Sequence, residues 1–374
     1  MITVKVGNLF ESQTQTLVNT VNCVGVMGKG VALEFKNRFP DMYADYLVRC
    51  NAHQVKLGKP YLFRRLVPPW VLNFPTKDHW RSVSRLQDIV EGLRYLQAHY
   101  REWGIASLAV PPLGCGQGQL EWRVVGPTLY RHLKDLDIPA ELYAPFGTPH
   151  DELKPTFLEP AASPGVSAVP TAPYRVDPAW IAVVEILQRI EDEPYHWPVG
   201  RTTFQKIAYF ATESGIPTGL RYQRGSYGPH APDLKRCITV LVNNGLVQEK
   251  QLGRMFAVRV GQTFADARRA YEGQVQEWIP AIEKISDLFL RMNTQQSEVA
   301  ATVHFAAHER TNGSRDTPSE KEILQMVMEW KQRRRPPLEE KEVARAIRSL
   351  HMLSWIGVRV SEDLPIEDEE FLSV

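Results

Sequence analysis

The 374-residue sequence has no uninterrupted apolar run near the ~20 residues that a membrane-crossing helix needs, so none of its segments reads as a helical membrane span. Cysteine is scarce. The four present, Cys23, Cys50, Cys115 and Cys237, form no C-x-x-C pair and no zinc-ligand spacing, which argues against a disulfide scaffold or a zinc module; no metal site is expected. Neither sign of charge is in excess, with 44 Lys and Arg against 43 Asp and Glu, so no global basic field points to nucleic acid and only local patches remain. The opening MITVKVGNLF lacks the layout of a secretory leader, and a reduced, cytoplasmic protein is expected.

Glycine is present where it matters. In VNCVGVMGKGVALEF (21–35) a strand-like run passes through glycines at 25, 28 and 30 into a helix start near Val31. Such a turn lets a ligand reach backbone amides, and the uncapped helix start favours an anion, with phosphate as the default. Two familiar phosphate loops fail on spelling. A P-loop needs Ser or Thr after Lys29, where Gly30 stands, and the dinucleotide fingerprint needs a third glycine where Leu33 stands. A turn that merely reverses the chain stays open as the alternative. A second loop, AVPPLGCGQGQLEW (109–122), repeats the pattern with glycines 114, 116 and 118. Two such loops at two strand ends suit the two phosphates of a pyrophosphate.

The Pro-, Ala- and Ser-rich stretch between Asp151 and Asp177 divides the chain into residues 1–152, a linker at 153–177 and residues 178–374. Before it, ITVKV, TLVNTV, WVLNFP, SLAVPP and AELYAPF alternate with helical patterns, the clearest placing Val83, Leu86, Val90, Leu93 and Leu96 on one face. This is an α/β grammar, with the ligand expected beyond the carboxyl ends of the strands. After it come helices closed by β-like ends, read as winged-helix-like units at 178–262 and 318–360. Lys235, Arg236 and the run 333–335 are candidate DNA contacts. Tyr209, Phe210 and Tyr227 are expected in the core.

The residues GNLFE, LVNTVNCVGVMGKGVALEF, NFPTK and VPPLGCGQGQLEW together resemble the macrodomain family, which binds ADP-ribose, over roughly residues 1–150. NFPTKDHW and PLGCG resemble the branch that holds the human terminal ADP-ribose glycohydrolase and the bacterial DarG-type antitoxins. The resemblance implies a three-layer α/β/α macrodomain with a mixed sheet, followed by a mainly α region. It implies removal of ADP-ribose from a DNA base, thymine being expected, on single-stranded DNA. It also implies a DarT-like toxin as partner of the C-terminal region, whose Glu362, Asp363, Glu367, Asp368, Glu369 and Glu370 would imitate phosphates. ADP-ribose is then part of the substrate, and no cofactor is expected.

Carried over residue by residue, Gly28, Lys29, Gly30, Val31 and Ala32 would hold one phosphate and the distal ribose, and Leu113, Gly114, Cys115, Gly116, Gln117 and Gly118 the other side. Asn22 matches the asparagine near the distal ribose. Asn8 and Leu9 fall at the adenine end, Asn8 replacing the aspartate of many relatives. Lys77 is the expected catalytic residue, as nucleophile or as base, with Phe74 and Trp80 expected to desolvate it. Thr76, His79 and Trp80 are candidate substrate contacts. Gly118 stands where the human relative has an aspartate, and Glu121 nearby reads as an N-terminal helix charge. Two other readings stay open: action on protein carboxylate esters, and a non-catalytic ADP-ribose reader fused to a DNA-binding regulator.

Overall fold

The computed structural model describes residues 1–159, 176–252, 255–312 and 316–366. Most of the expected linker, 160–175, and the acidic Glu367, Asp368, Glu369 and Glu370 lie outside the described residues. The chain gathers into two compact units, one of Met1–Ile181 with Ile238–Gln248 and Val260–Glu277, the other of Ala182–Cys237 with Glu249–Arg259 and Trp278–Val374.

The first unit is built on six strands: β1 (Ile2–Lys5), β2 (Thr16–Asn22), β3 (Tyr61–Phe63), β4 (Trp70–Lys77), β5 (Leu108–Val110) and β6 (Ala140–Tyr143). Their order is β1-β6-β5-β2-β4-β3, with every neighbouring pair parallel except β3, which lies antiparallel on the edge. β2 and β4 are buried along nearly their whole length, as strands covered on both faces must be. One face meets α1 (Gly30–Arg38) and α2 (Pro40–Asn51), where Phe35, Met42 and Tyr46 pack with Leu17, Val21 and Val71. The other meets α3 (Leu86–His99) and α4 (Trp122–Lys134). Gly92 of α3 leaves room for the Phe74 ring, which a Cβ there would overlap. The short α5 (Pro155–Leu158) follows, with Glu152 just before it paired to buried Arg123 at 2.6 Å. This is the mixed-sheet macrodomain fold. Val83 precedes α3 rather than belonging to it, and β3, three residues long, had too short a pattern to read.

Beyond the linker come α6 (Pro178–Asp192), α7 (Arg201–Glu213), the hairpin β7 (Gln223–Gly225) and β8 (Gly228–His230), α8 (Leu234–Asn243), the hairpin β9 (Val247–Leu252) and β10 (Met255–Val260), and the short α9 (Phe264–Ala270) and α10 (Glu272–Gln276). Then follow α11 (Ile279–Leu290), α12 (Thr294–Asn312), α13 (Glu320–Trp330) and α14 (Glu340–Met352), so this region is mostly helical. In the first unit, Asp266 of α9 pairs with Arg131 of α4 at 2.6 Å, and the Asn244 side chain accepts from the Glu121 amide at 2.8 Å. In the second unit, Tyr209 and Phe210 are fully buried among His304, Phe289 and Trp355, as expected. Tyr227 is not in the core: it sits on the two-residue turn between β7 and β8 and is 63% exposed. Arg334 turns inward to Glu298 at 3.0 Å, which removes it from any basic patch formed by residues 333–335. The block around 318–360 has a capping box at Ser319 and Glu322. Among the described residues its β content is one parallel bridge, Ser319 with Arg359.

Candidate functional site

Strands β5, β2 and β4 are neighbours and run parallel, so the segments leaving their carboxyl ends lie side by side. These are the two glycine loops and the turn after Lys77.

Asn22 ends β2 and frames the first loop. Its Oδ1 accepts from the Val24 and Val26 amides at 3.0 and 3.3 Å, and its Nδ2 donates to the Val26 carbonyl at 2.5 Å. The Tyr46 hydroxyl lies 2.9 Å from the Asn22 carbonyl oxygen and 3.1 Å from Oδ1. This amide therefore folds the loop that carries Gly28, Lys29 and Gly30, all exposed. Asn19, one turn of the pleat earlier, is spent inside the sheet on Asn73 at 2.9 Å. Lys29 precedes α1 with an extended backbone and makes no side-chain cap, so its side chain leaves the first-turn amides of Gly30, Val31 and Ala32 uncapped. Gly30 has φ +58°, and nothing lies within 4 Å of where a Cβ would stand.

The second loop is tight. A Cβ on Gly118 would overlap the Gly114 carbonyl oxygen and Ser84 Oγ, and one on Gly114, at φ +76°, would overlap Leu120 and Ile89. Leu113 and Cys115 point inward and are 0% and 3% exposed, so Cys115 is a packing residue. Gly116 and Gln117 face outward. The carboxylate of Glu121 accepts from the Arg123 amide at 3.3 Å and so caps α4.

Lys77 is the last residue of β4, and its Nζ donates to the Gln117 carbonyl at 2.5 Å. That bond joins β4 to the second loop. Burial lowers the Lys77 pKa from its ordinary value. Phe74 lies against Gly92 of α3, and Trp80 is 47% exposed. Thr76 is buried. Beyond Lys77, the Asp78 carboxylate accepts from the Ser82 side chain and, at 2.7 Å, from the His79 amide; both bonds hold it below the usual carboxylate range.

At the far end, Asn8 accepts from the Phe10 amide at 3.1 Å and caps a single 3-10 turn, with Leu9 buried beneath it. Sequence reasoning missed Phe146. It is 97% exposed just beyond β6, which pairs with β1 through Tyr143 and Lys5. Its signal was an aromatic between Pro145 and Gly147 at a strand end. Among the described residues no group of three or more His, Cys, Asp or Glu side chains could hold a metal ion.

Residues 18–129 match the Macro domain family, so fold and sequence together define a macrodomain protein. Over 325 residues the chain is 32% identical to a protein from Thermus aquaticus named DNA ADP-ribosyl glycohydrolase, covering 85% of each. The chain belongs to the DNA ADP-ribosyl glycohydrolase family. It is also 42% identical, over 41% of its length and 44% of the relative's, to a DNA ADP-ribosyl transferase-DNA ADP-ribosyl glycohydrolase fusion protein of Thermosipho africanus. Among solved structures, the macrodomain of Mycobacterium tuberculosis DarG is 47% identical, covering 39% of this chain and 98% of that one, with a TM-score of 0.38. No helix of the described residues is long and apolar enough to cross a membrane.

Proposed function

We propose that this chain hydrolyses the N-glycosidic bond between ADP-ribose and a DNA base, thymine in single-stranded DNA, and that its C-terminal region neutralises a DarT-like transferase. The family supports the hydrolase, and the fused transferase of the Thermosipho relative supports the partner.

The observation that carries the site is the Lys77 Nζ held on the Gln117 carbonyl of the second glycine loop. In this reading the amides of Gly28, Lys29, Gly30, Val31 and Ala32 take one phosphate and the distal ribose, while Leu113–Gly118 closes over the other phosphate. Helix-start amides and a lysine charge are groups that bind and orient an anionic diphosphate without a metal. The exposed Asn8 amide and the Phe146 ring suit the adenine, one by hydrogen bonding and the other by stacking. Asn22 serves by holding the first loop.

Lys77 then stands at the anomeric carbon. Its depressed pKa raises the share of neutral amine able to attack that carbon or to take a proton from water. In the first route the C–N bond to the base breaks as an N–C bond to Lys77 forms, the proton shed by the Lys77 nitrogen goes to the departing base, and water later displaces Lys77 and releases ADP-ribose. In the second, water attacks directly.

The test is release of ADP-ribose from a thymine-modified single-stranded oligonucleotide by the wild-type protein and by Lys77→Ala, with a protein glutamyl ester as comparator. DNA cleavage that is lost in the variant supports the reading. Ester cleavage alone, or tight ADP-ribose binding with no release from either substrate, overturns it.

A further inference from the structure

Immediately after Lys77 the chain makes a pinned turn that presents an aromatic ring to solvent. The Asp78 carboxylate accepts from the His79 amide at 2.7 Å, the His79 ring accepts from the Arg81 amide at 3.2 Å, and the Ser82 amide donates to the His79 carbonyl at 3.0 Å. The Cys23 amide ties the same turn to the first loop through the Asp78 carbonyl, at 3.2 Å. Four bonds thus fix a segment of five residues whose most apolar side chain, Trp80, remains 47% exposed.

An exposed surface aromatic alone needs no explanation. Here two further features accompany it. The Arg81 guanidinium lies 4.6 Å from the centre of the Trp80 ring, and Arg81 makes no ion pair among the described residues. The His79 ring stands 5.5 Å away, tilted by 33°. An exposed indole on a pinned turn, with an unpaired guanidinium against its ring, is the arrangement that single-stranded nucleic acid exploits, because every base has a face to stack and every linkage a phosphate. It also adjoins the lysine at which the ADP-ribosylated base would sit.

We propose that the Trp80 indole and Arg81 guanidinium form the docking platform for the DNA strand: a base beside the modified nucleotide stacks on Trp80, and Arg81 takes the phosphate joining the two. This rests on the DNA glycohydrolase reading above. The platform contributes to holding the strand, so it acts on oligonucleotides and has no partner in a modified mononucleoside.

The experiment compares ADP-ribosylated thymidine with an ADP-ribosylated single-stranded oligonucleotide as substrates for the wild type, Trp80→Ala, Trp80→Phe and Arg81→Ala. Stacking of this kind is worth roughly five- to 150-fold per base. Trp80→Ala is expected to raise KM for the oligonucleotide within that range and so erase its preference over the nucleoside, with Trp80→Phe recovering most of it. Arg81→Ala is expected to flatten the salt dependence of the oligonucleotide KM. Equal losses on both substrates, or no loss on either, overturn the platform. Fluorescence anisotropy in a Lys77→Ala background reads strand affinity without turnover, so an inactive wild type would refute the hydrolase and still leave the platform to be scored. There, equal affinity of the Trp80 and Trp80→Ala proteins for the modified oligonucleotide refutes it.

Discussion

Lys77 and Gln117 are forty residues apart in sequence and 2.5 Å apart in space, joined by a bond from the Lys77 ammonium to a main-chain carbonyl. Burial lowers the Lys77 pKa, while the carbonyl acceptor, a dipole without a full charge, favours the ammonium less than a carboxylate partner would. If the neutral amine is the working form, kcat/KM rises with pH through a midpoint below the ordinary 10.5 of lysine. Lys77→Arg, which stays protonated, is expected to lose about 10²- to 10⁴-fold. A rate that instead falls as pH passes that midpoint assigns the work to the ammonium.

The sequence resemblance sets Gly118 where the human relative would carry an aspartate, and a side chain at Gly118 would overlap the Gly114 carbonyl oxygen and Ser84 Oγ. Gly118→Asp is therefore expected to displace the second loop instead of supplying a carboxylate. Overpacking of this kind costs about 1–3 kcal/mol. A thermal melt and an ADP-ribose titration should show a lower Tm and weaker binding together; improved turnover would contradict the loop's packing.

Tyr46→Phe removes the hydroxyl that reaches the Asn22 carbonyl and side chain. The loss of one buried hydrogen bond is worth roughly 1–2 kcal/mol. Because Asn22 frames the first loop, calorimetry is expected to show ADP-ribose affinity falling by more than global stability alone explains. Unchanged affinity would detach the loop from the ligand.

Much of this was legible in local pattern. Alternation marked the five parallel strands, and the glycine spacing marked both loops, because backbone approach demands small residues at fixed places. The partners of those loops were not legible. Nothing near Lys77 announces the Gln117 carbonyl, and nothing near Glu121 announces Asn244, since such contacts depend on how distant elements cross. Tyr227 was misread for a related reason. Aromatic composition suggests burial, but a two-residue hairpin turn faces its side chains outward. Asn22 reads from the sequence as a ribose contact; that its amide also holds the Val24 and Val26 main chain depends on how the loop closes, which no local pattern announces.

Lys206 is 1% exposed in the second unit, donating to the Pro229 carbonyl at 3.0 Å, with burial lowering its pKa to about 7. Between that value and the ordinary 10.5 the unfolded chain holds a proton that the folded chain has shed. Its contribution to stability therefore grows as pH rises from about 7 to about 10.5, is lost as pH falls back, and is level below 7. The Tm of the wild type minus that of Lys206→Met is expected to climb with pH across this window. A flat difference would mean the amine stays charged in the fold.

The proposed cradle is made of main chain, at Gly28–Ala32 and Leu113–Gly118, and its only side-chain requirement is that little volume intrude. Such a pocket drifts under a rule of size instead of chemistry. Lineages can respell open positions such as Gly28 and Gly116 with other small residues and keep the ligand, with Gly114 and Gly118 held to glycine by their neighbours, while a competitive inhibitor that copies the diphosphate leaves few functional groups to mutate. Escape would have to come through bulk, and bulk would close the pocket to the substrate as well.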